Sequence, residues 1–124
     1  MSAWSEEQIA ALGHANSLVL TINDPSSGAS TINVELGMVI AEDDLYVRAY
    51  RGQESGWYQA AIAGGQGQIE VGDESIDVVF TAADPADDGL HDEIDSAYRN
   101  KYGANAQLVT DATARAATLR IAQR

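Results

Sequence analysis

A small antiparallel β-barrel of the α+β class, with short helices at its ends and between strands, is the fold this sequence predicts. Three observations predict it. About six segments alternate apolar and polar residues at a period of two, as strands with one buried face do. Most are separated by turn signals, so the strand–helix–strand rhythm of a parallel sheet is missing. The 124 residues, 45% of them hydrophobic, suit one core and one domain spanning residues 1–124.

The first element is a helix over residues 5–14. Gln8 follows Ser5 at the capping-box spacing, and Glu6 and Glu7 suit the positive end of the helix dipole. Ile9 and Leu12 form a narrow apolar stripe, Gly13 marks the end, and Trp4 precedes the cap as a staple. Residues 17–23 alternate, with Leu18, Leu20 and Ile22 on one face, and Asp24-Pro25-Ser26-Ser27-Gly28 is a turn. Residues 31–40 read as the cleanest strand, with Ile32, Val34, Leu36, Met38 and Ile40 on one face and Asn33, Glu35 and Gly37 on the other. Glu42-Asp43-Asp44 turns it tightly into residues 45–50, so the two pair as a hairpin. In that next strand Leu45, Val47 and Ala49 face one way, and Tyr46, Arg48 and Tyr50 the other.

A glycine-bounded loop, Gly52 to Gly56, leads into an Ala-rich helix over 57–63, stopped by Gly64-Gly65. Strands at 68–71 and 75–82 flank a Gly72-Asp73 turn, with Ile76, Val78 and Phe80 inward. Asp84-Pro85 breaks the second, and the acidic loop to Asp88 is exposed. Residues 90–102 form the strongest helix. Ile94, Ala97, Tyr98 and Tyr102 share its apolar face, Asp95 and Arg99 make an i,i+4 ion pair, and Gly103 closes it. Residues 105–109 add a helical turn, and residues 114–122 are the last strand, with Leu119 and Ile121 inward.

Charge narrows the function. Seven Lys and Arg against 19 Asp and Glu leave a formal charge of −12. A phosphate backbone or an anionic membrane surface needs cationic clusters, so neither is expected as a partner. The absence of cysteine excludes disulfides and thiolate chemistry. No apolar run approaches the roughly 18 residues of a membrane span. The opening MSAWSEEQ is too acidic and polar for a secretory signal, and a cytoplasmic protein is expected.

Few motifs carry chemistry. Gly64-Gly65-Gln66-Gly67 lacks the lysine of a phosphate loop and reads as a helix stop followed by a strand start. His91 sits among Asp84, Asp87, Asp88, Asp92 and Glu93, but their spacing matches no calcium loop, and no metal site is expected. Arg48, flanked on its face by Tyr46 and Tyr50, is set either to grip an anion between stacking rings or to sit in an interface ion pair. Arg51, Arg99 and Lys101 are further cations that could converge with it. Glu35 is either a cross-strand partner of the strand carrying Arg48 or a general base in a desolvated pocket.

The blocks Tyr46-Val47-Arg48, Trp57-Tyr58 and Asp95-Ser96-Ala97-Tyr98-Arg99-Asn100-Lys101-Tyr102, with a closing ATLRI, resemble the bacterial domain-of-unknown-function family 2255 from Trp4 to Arg124. More distantly, the strand, Gly-loop, Trp-Tyr helix and strand arrangement is similar to flavin- and deazaflavin-binding split β-barrels. That resemblance implies a split barrel, a homodimer, and FMN or a deazaflavin in a groove outside the barrel at the dimer interface. Arg48, helped by Arg51 or Lys101, would hold the phosphate. Trp57 and Tyr58 would wall the ring, with Tyr46 and Tyr50 on the groove face. Family members often carry a basic residue where this chain has Gly56, and bulky residues where it has Glu35 and Gly37.

Two other readings stay open. One is a cofactor-free acid–base enzyme of isomerase, cyclase or hydrolase type, with Glu35 as base and Arg48 or a tyrosine as electrophilic partner. The other is a dimeric small-molecule-binding domain without catalysis.

Overall fold

Residues 31–40 do not make one strand. A computed structural model of the protein describes residues 4–23, 31–42, 44–84 and 86–123, and in it the run divides at Gly37-Met38 into two strands that join opposite edges of one sheet. The expected turn at Asp24–Gly28 lies outside the described residues, as do Asp43 and Pro85.

The strands are β1 (Leu18–Asn23), β2 (Thr31–Leu36), β3 (Val39–Ala41), β4 (Asp44–Arg48), β5 (Gln66–Val71), β6 (Glu74–Ala82) and β7 (Thr118–Gln123). All pair antiparallel, in the order β2-β1-β5-β6-β7-β4-β3. The two edge strands are consecutive in the chain and only Gly37 and Met38 separate them. A sheet whose edges are tied together in this way must curl on itself, and the result is a split barrel. The expected hairpin survives only in its second half, where Ile40 pairs with Leu45. The first half pairs with β1, so Glu35 stands opposite Val19 and its strand does not adjoin the one carrying Arg48.

The inward faces follow the alternation. Leu18, Leu20, Ile22, Leu45, Val47, Ile69, Val78, Phe80, Leu119 and Ile121 fill the interior with Met38. Trp4 does more than staple a helix: it is buried in this core, and its Nε1–H donates to the Ile121 carbonyl at 2.9 Å.

Helix α1 (Glu6–His14) has the expected capping box, with Ser5 and Gln8 exchanging backbone-to-side-chain bonds of 2.9 and 3.1 Å. Helix α2 (Gly56–Gly64) ends on Gly65 at φ 74°, a left-handed turn that glycine adopts without strain. Helix α3 (Asp88–Tyr102) starts on an Asp87 side-chain cap, and a 3-10 segment, Gly103–Val109, follows it. Residues 114–117 do not belong to the last strand as expected. Asp111 accepts the Ala114 N–H at 2.9 Å and caps a short helix α4 (Ala112–Arg115), so β7 begins only at Thr118. No helix among the described residues is long and apolar enough to cross a membrane.

The outer face of β4 is not open. Helix α3 lies over it, and Tyr46 is buried there with Val39, Ala41, Ile94, Tyr98 and Ala106 in a second core. Strand alternation placed Tyr46 and Arg48 outside the barrel, but it carries no information about which helix covers them.

Candidate functional site

Arg48 is the hub beneath α3. Its side chain is buried, and a guanidinium has five N–H donors and no acceptor. Five acceptors meet it. Nε donates to Thr118 Oγ1 at 3.0 Å, and one terminal nitrogen donates to Asp95 Oδ1 and to the Val109 carbonyl at 2.8 Å. The other donates to His91 Nδ1 at 3.0 Å and to the His91 carbonyl at 3.4 Å. Since His91 Nδ1 must accept, its Nε2 carries the hydrogen, which it donates to the Asp84 carbonyl at 2.9 Å. The buried His91 is thus a strut between β4 and the start of α3.

Asp95 completes this knot. Its second oxygen accepts from Arg115 Nε at 3.1 Å, and Arg115 also bonds Asp92 at 2.7 Å. Burial pushes the Asp95 carboxyl up, but hydrogen bonds from Arg115 and Arg48, with their charges, outweigh it and hold the carboxyl below its ordinary range. The expected Asp95–Arg99 pair is replaced by this one. An exposed i,i+4 pair contributes only a few tenths of a kcal/mol, whereas a buried guanidinium without a counter-charge costs several. Arg99 is left exposed to solvent.

The last turn of α3 closes the barrel. Tyr102 Oη accepts the Met38 N–H at 3.0 Å and donates to the Asn16 carbonyl at 2.8 Å. Lys101 Nζ donates to the carbonyls of Met38 at 2.8 Å and Leu12 at 3.3 Å. Burial lowers the Lys101 pKa and raises that of Tyr102. A Cβ at position 37 would lie 3.0 Å from Tyr102 Oη, so the glycine allows the ring to reach the link between β2 and β3.

Beside this clasp is a cavity of about 320 Å³, lined by Asn16, Glu35, Leu36, Gly37, Arg48, Tyr50, Tyr98, Tyr102 and Val109. It exists because β3–β4 pairing stops at Val39–Tyr46. The Ala49 N–H points to Ala117 on the β7 side, so alternation turns the Arg48 backbone N–H the other way, toward the interrupted seam. Tyr98 and Tyr102 stack at a tilt, with ring centroids 5.9 Å apart, and the Arg48 guanidinium lies 5.7 Å from the Tyr98 ring centroid. Tyr50 is 54% exposed, with Arg51 over its ring. Glu35 is exposed on β2, and its Oε2 accepts the Ser17 hydroxyl at 2.9 Å. A larger hollow of about 530 Å³, between α1 and the β5–β6 hairpin, holds none of the expected site residues.

Of the residues singled out in the sequence, Glu35, Arg48 and Tyr50 meet at the cavity. Tyr46 is buried behind it in the second core, and Lys101 is spent on the clasp. Trp57 and Tyr58 pack edge to face on α2 against the barrel core and do not line the cavity. Tyr98, Tyr102 and Asn16 were not singled out as a site, and Gly37 only as a position where family members carry bulk. The two tyrosines were read as members of an apolar helix stripe and of a family block, and spacing alone does not say where a hydroxyl ends.

The chain belongs to the family described as "Uncharacterized protein conserved in bacteria (DUF2255)", which matches residues 8–121. Solved structures share its fold. The conserved hypothetical protein Rv2991 from Mycobacterium tuberculosis superposes with a TM-score of 0.73 at 14% identity, over 98% of this chain and 81% of that one. HutZ, the heme storage protein from Vibrio cholerae, gives 0.67 at 12% identity, over 100% and 90%. An F420-H2 dependent reductase, FDR-A, gives 0.63 at 17% identity, over 86% and 92%. At these identities the likeness establishes the split-barrel fold alone. No curated protein matches the chain.

Proposed function

We propose that this DUF2255 protein is a small-molecule-binding split barrel that takes a planar ring compound into the seam cavity. The observation that carries this reading is the cavity: about 320 Å³, mostly apolar, beside exposed Tyr50 and walled by Tyr98 and Tyr102. Small organic ligands favour hollows of this size with aromatic walls and a few polar groups. The F420-H2 dependent reductase of the same fold supports a flavin or deazaflavin ring as the ligand, and with it an oxidoreductase. Such a ring, when bound, supplies hydride chemistry, and this chain would wall and orient it.

The ring portion of FMN suits the cavity, but its phosphate does not. Arg48 has all five donors engaged, and Lys101 is bound to backbone carbonyls. Arg115 and Arg120 face carboxylates, which leaves Arg51, over the Tyr50 ring, and the exposed Arg99 among the described residues. A net charge of −12 further disfavours an anionic ligand. A phosphate would need cations from a second copy of the chain, as in the homodimer the resemblance implies.

Titration with lumiflavin, riboflavin, FMN and a deazaflavin tests this. Binding of lumiflavin at least as tight as that of FMN is expected. No binding of any of them at tens of micromolar ligand removes the flavin-type reading. FMN binding far tighter than lumiflavin would instead place cations from a partner copy at the mouth.

A second reading has its own support. Glu35 lines the same cavity as the two tyrosines, with one oxygen held by Ser17 and its other oxygen available to a substrate proton. This would make a cofactor-free isomerase, cyclase or hydrolase with Glu35 as base. Unchanged turnover in Glu35→Gln on any substrate the protein converts rules that mechanism out.

A further inference from the structure

Among the described residues, one buried side-chain polar atom has no hydrogen-bond partner: Tyr98 Oη. The Arg48 backbone N–H is near enough to bear on its ionisation, yet no group meets hydrogen-bond geometry with it. Even with that N–H counted as a donor, the hydroxyl proton has no acceptor. Buried hydroxyls almost always find one, because an unmatched one gives up its water bonds for nothing. Tyr102, one helical turn on, makes the contrast sharp, since its hydroxyl both accepts from Met38 and donates to Asn16.

The position of the orphan is informative. Tyr98 lines the seam cavity together with Arg48, whose backbone N–H points toward the same seam. The cavity also has a carboxylate wall, Glu35, while the Arg48 guanidinium is fully engaged. A ligand there would meet one buried unmatched hydroxyl, that of Tyr98, with Tyr50 exposed at the cavity and one negative charge.

We infer that Tyr98 is the ligand-selecting residue of this cavity: its hydroxyl donates to a carbonyl or ring-nitrogen acceptor on an uncharged or cationic ring compound, and anionic compounds are turned away. The inference rests on the ring-binding reading above and adds the chemistry of selection to it.

Two measurements on Tyr98→Phe test it. The first uses unliganded protein. Removing an unmatched hydroxyl leaves the melting temperature unchanged or raises it by about 3 °C. A fall of several degrees means the hydroxyl has a structural partner, and the inference fails. The second uses benzamide, ethylbenzene and benzoate, followed by NMR titration. Wild-type protein binds benzamide and ethylbenzene and binds benzoate more weakly than benzamide. The ratio of benzamide to ethylbenzene affinity falls about fivefold in Tyr98→Phe. An unchanged ratio overturns the selecting role while leaving a ring-binding cavity intact. Binding of none of the three by wild-type protein overturns the ring-binding reading, and this inference with it.

Discussion

The two ends of α3 are fastened to the barrel by opposite means. At its first half, the Arg48–Asp95–His91 knot matches every guanidinium donor to an acceptor inside the protein. At its last turn, Lys101 and Tyr102 grip the Met38 backbone in the β2–β3 link and the carbonyls of Leu12 and Asn16, and beside them the Tyr98 hydroxyl is unmatched. Both regions are polar, one buried and the other half-buried, so polarity does not separate them. Their hydrogen-bond accounts do: a closed account fixes position, and an open one leaves a place for a group from outside. The residue that looked most like a ligand clamp in the sequence, Arg48, belongs to the closed account.

The largest test of this contrast is Asp95→Ala. It strands the buried Arg48 charge and is expected to cost about 3–5 kcal/mol in urea unfolding. A cost below about 1 kcal/mol would show that the knot is loosely coupled and would dissolve the comparison. The pH dependence takes a share of the same energy. The Asp95 carboxyl is held below its ordinary range in the folded protein, so the unfolded chain takes up its proton first as pH falls. The stabilisation is therefore complete above the ordinary carboxylate pKa of about 4 and drains away below it. Urea midpoints measured from neutral to acid pH should drop, and Asp95→Asn should flatten that part of the curve. The smallest effect sharpens the comparison best. Tyr102→Phe removes a satisfied hydroxyl and is expected to cost about 1–2 kcal/mol, whereas Tyr98→Phe one turn earlier costs nothing or stabilises. Paired thermal melts of the two variants read that difference directly.

Much of the barrel was legible because period-two alternation is a local property. Leu45, Val47 and Ala49 turn inward as read, and the Ser5–Gln8 box caps α1 as read. The failures occur where the deciding partner is far away in the chain. Residues 31–40 alternate without interruption, and only the approach of Tyr102 to Gly37 shows why the run divides there. Asp95 has a ready local partner in Arg99, yet it bonds Arg48, 47 positions earlier, and Arg115, 20 later. The split-barrel resemblance located the fold; Trp57 and Tyr58, which it implies at a ligand, sit on α2 against the core and do not line the seam cavity. The cavity residues Tyr98 and Tyr102 were hidden for a simple reason: a tyrosine on an apolar stripe scores as core, and what distinguishes the pair is where each hydroxyl ends.

The clasp on the β2–β3 link also dictates an order of events during synthesis. Tyr102 bonds Met38 across 64 positions, and Lys101 reaches Leu12 across 89. At the usual pace of translation, the 64 residues between link and clasp take about 3–13 s to appear. For that interval the two edge strands are held only by their Gly37-Met38 link, and β7, which joins β6 to β4, comes later still. Unlatched strand edges are templates for pairing with other chains. The nascent protein is therefore most exposed to misassembly before α3 and β7 have emerged.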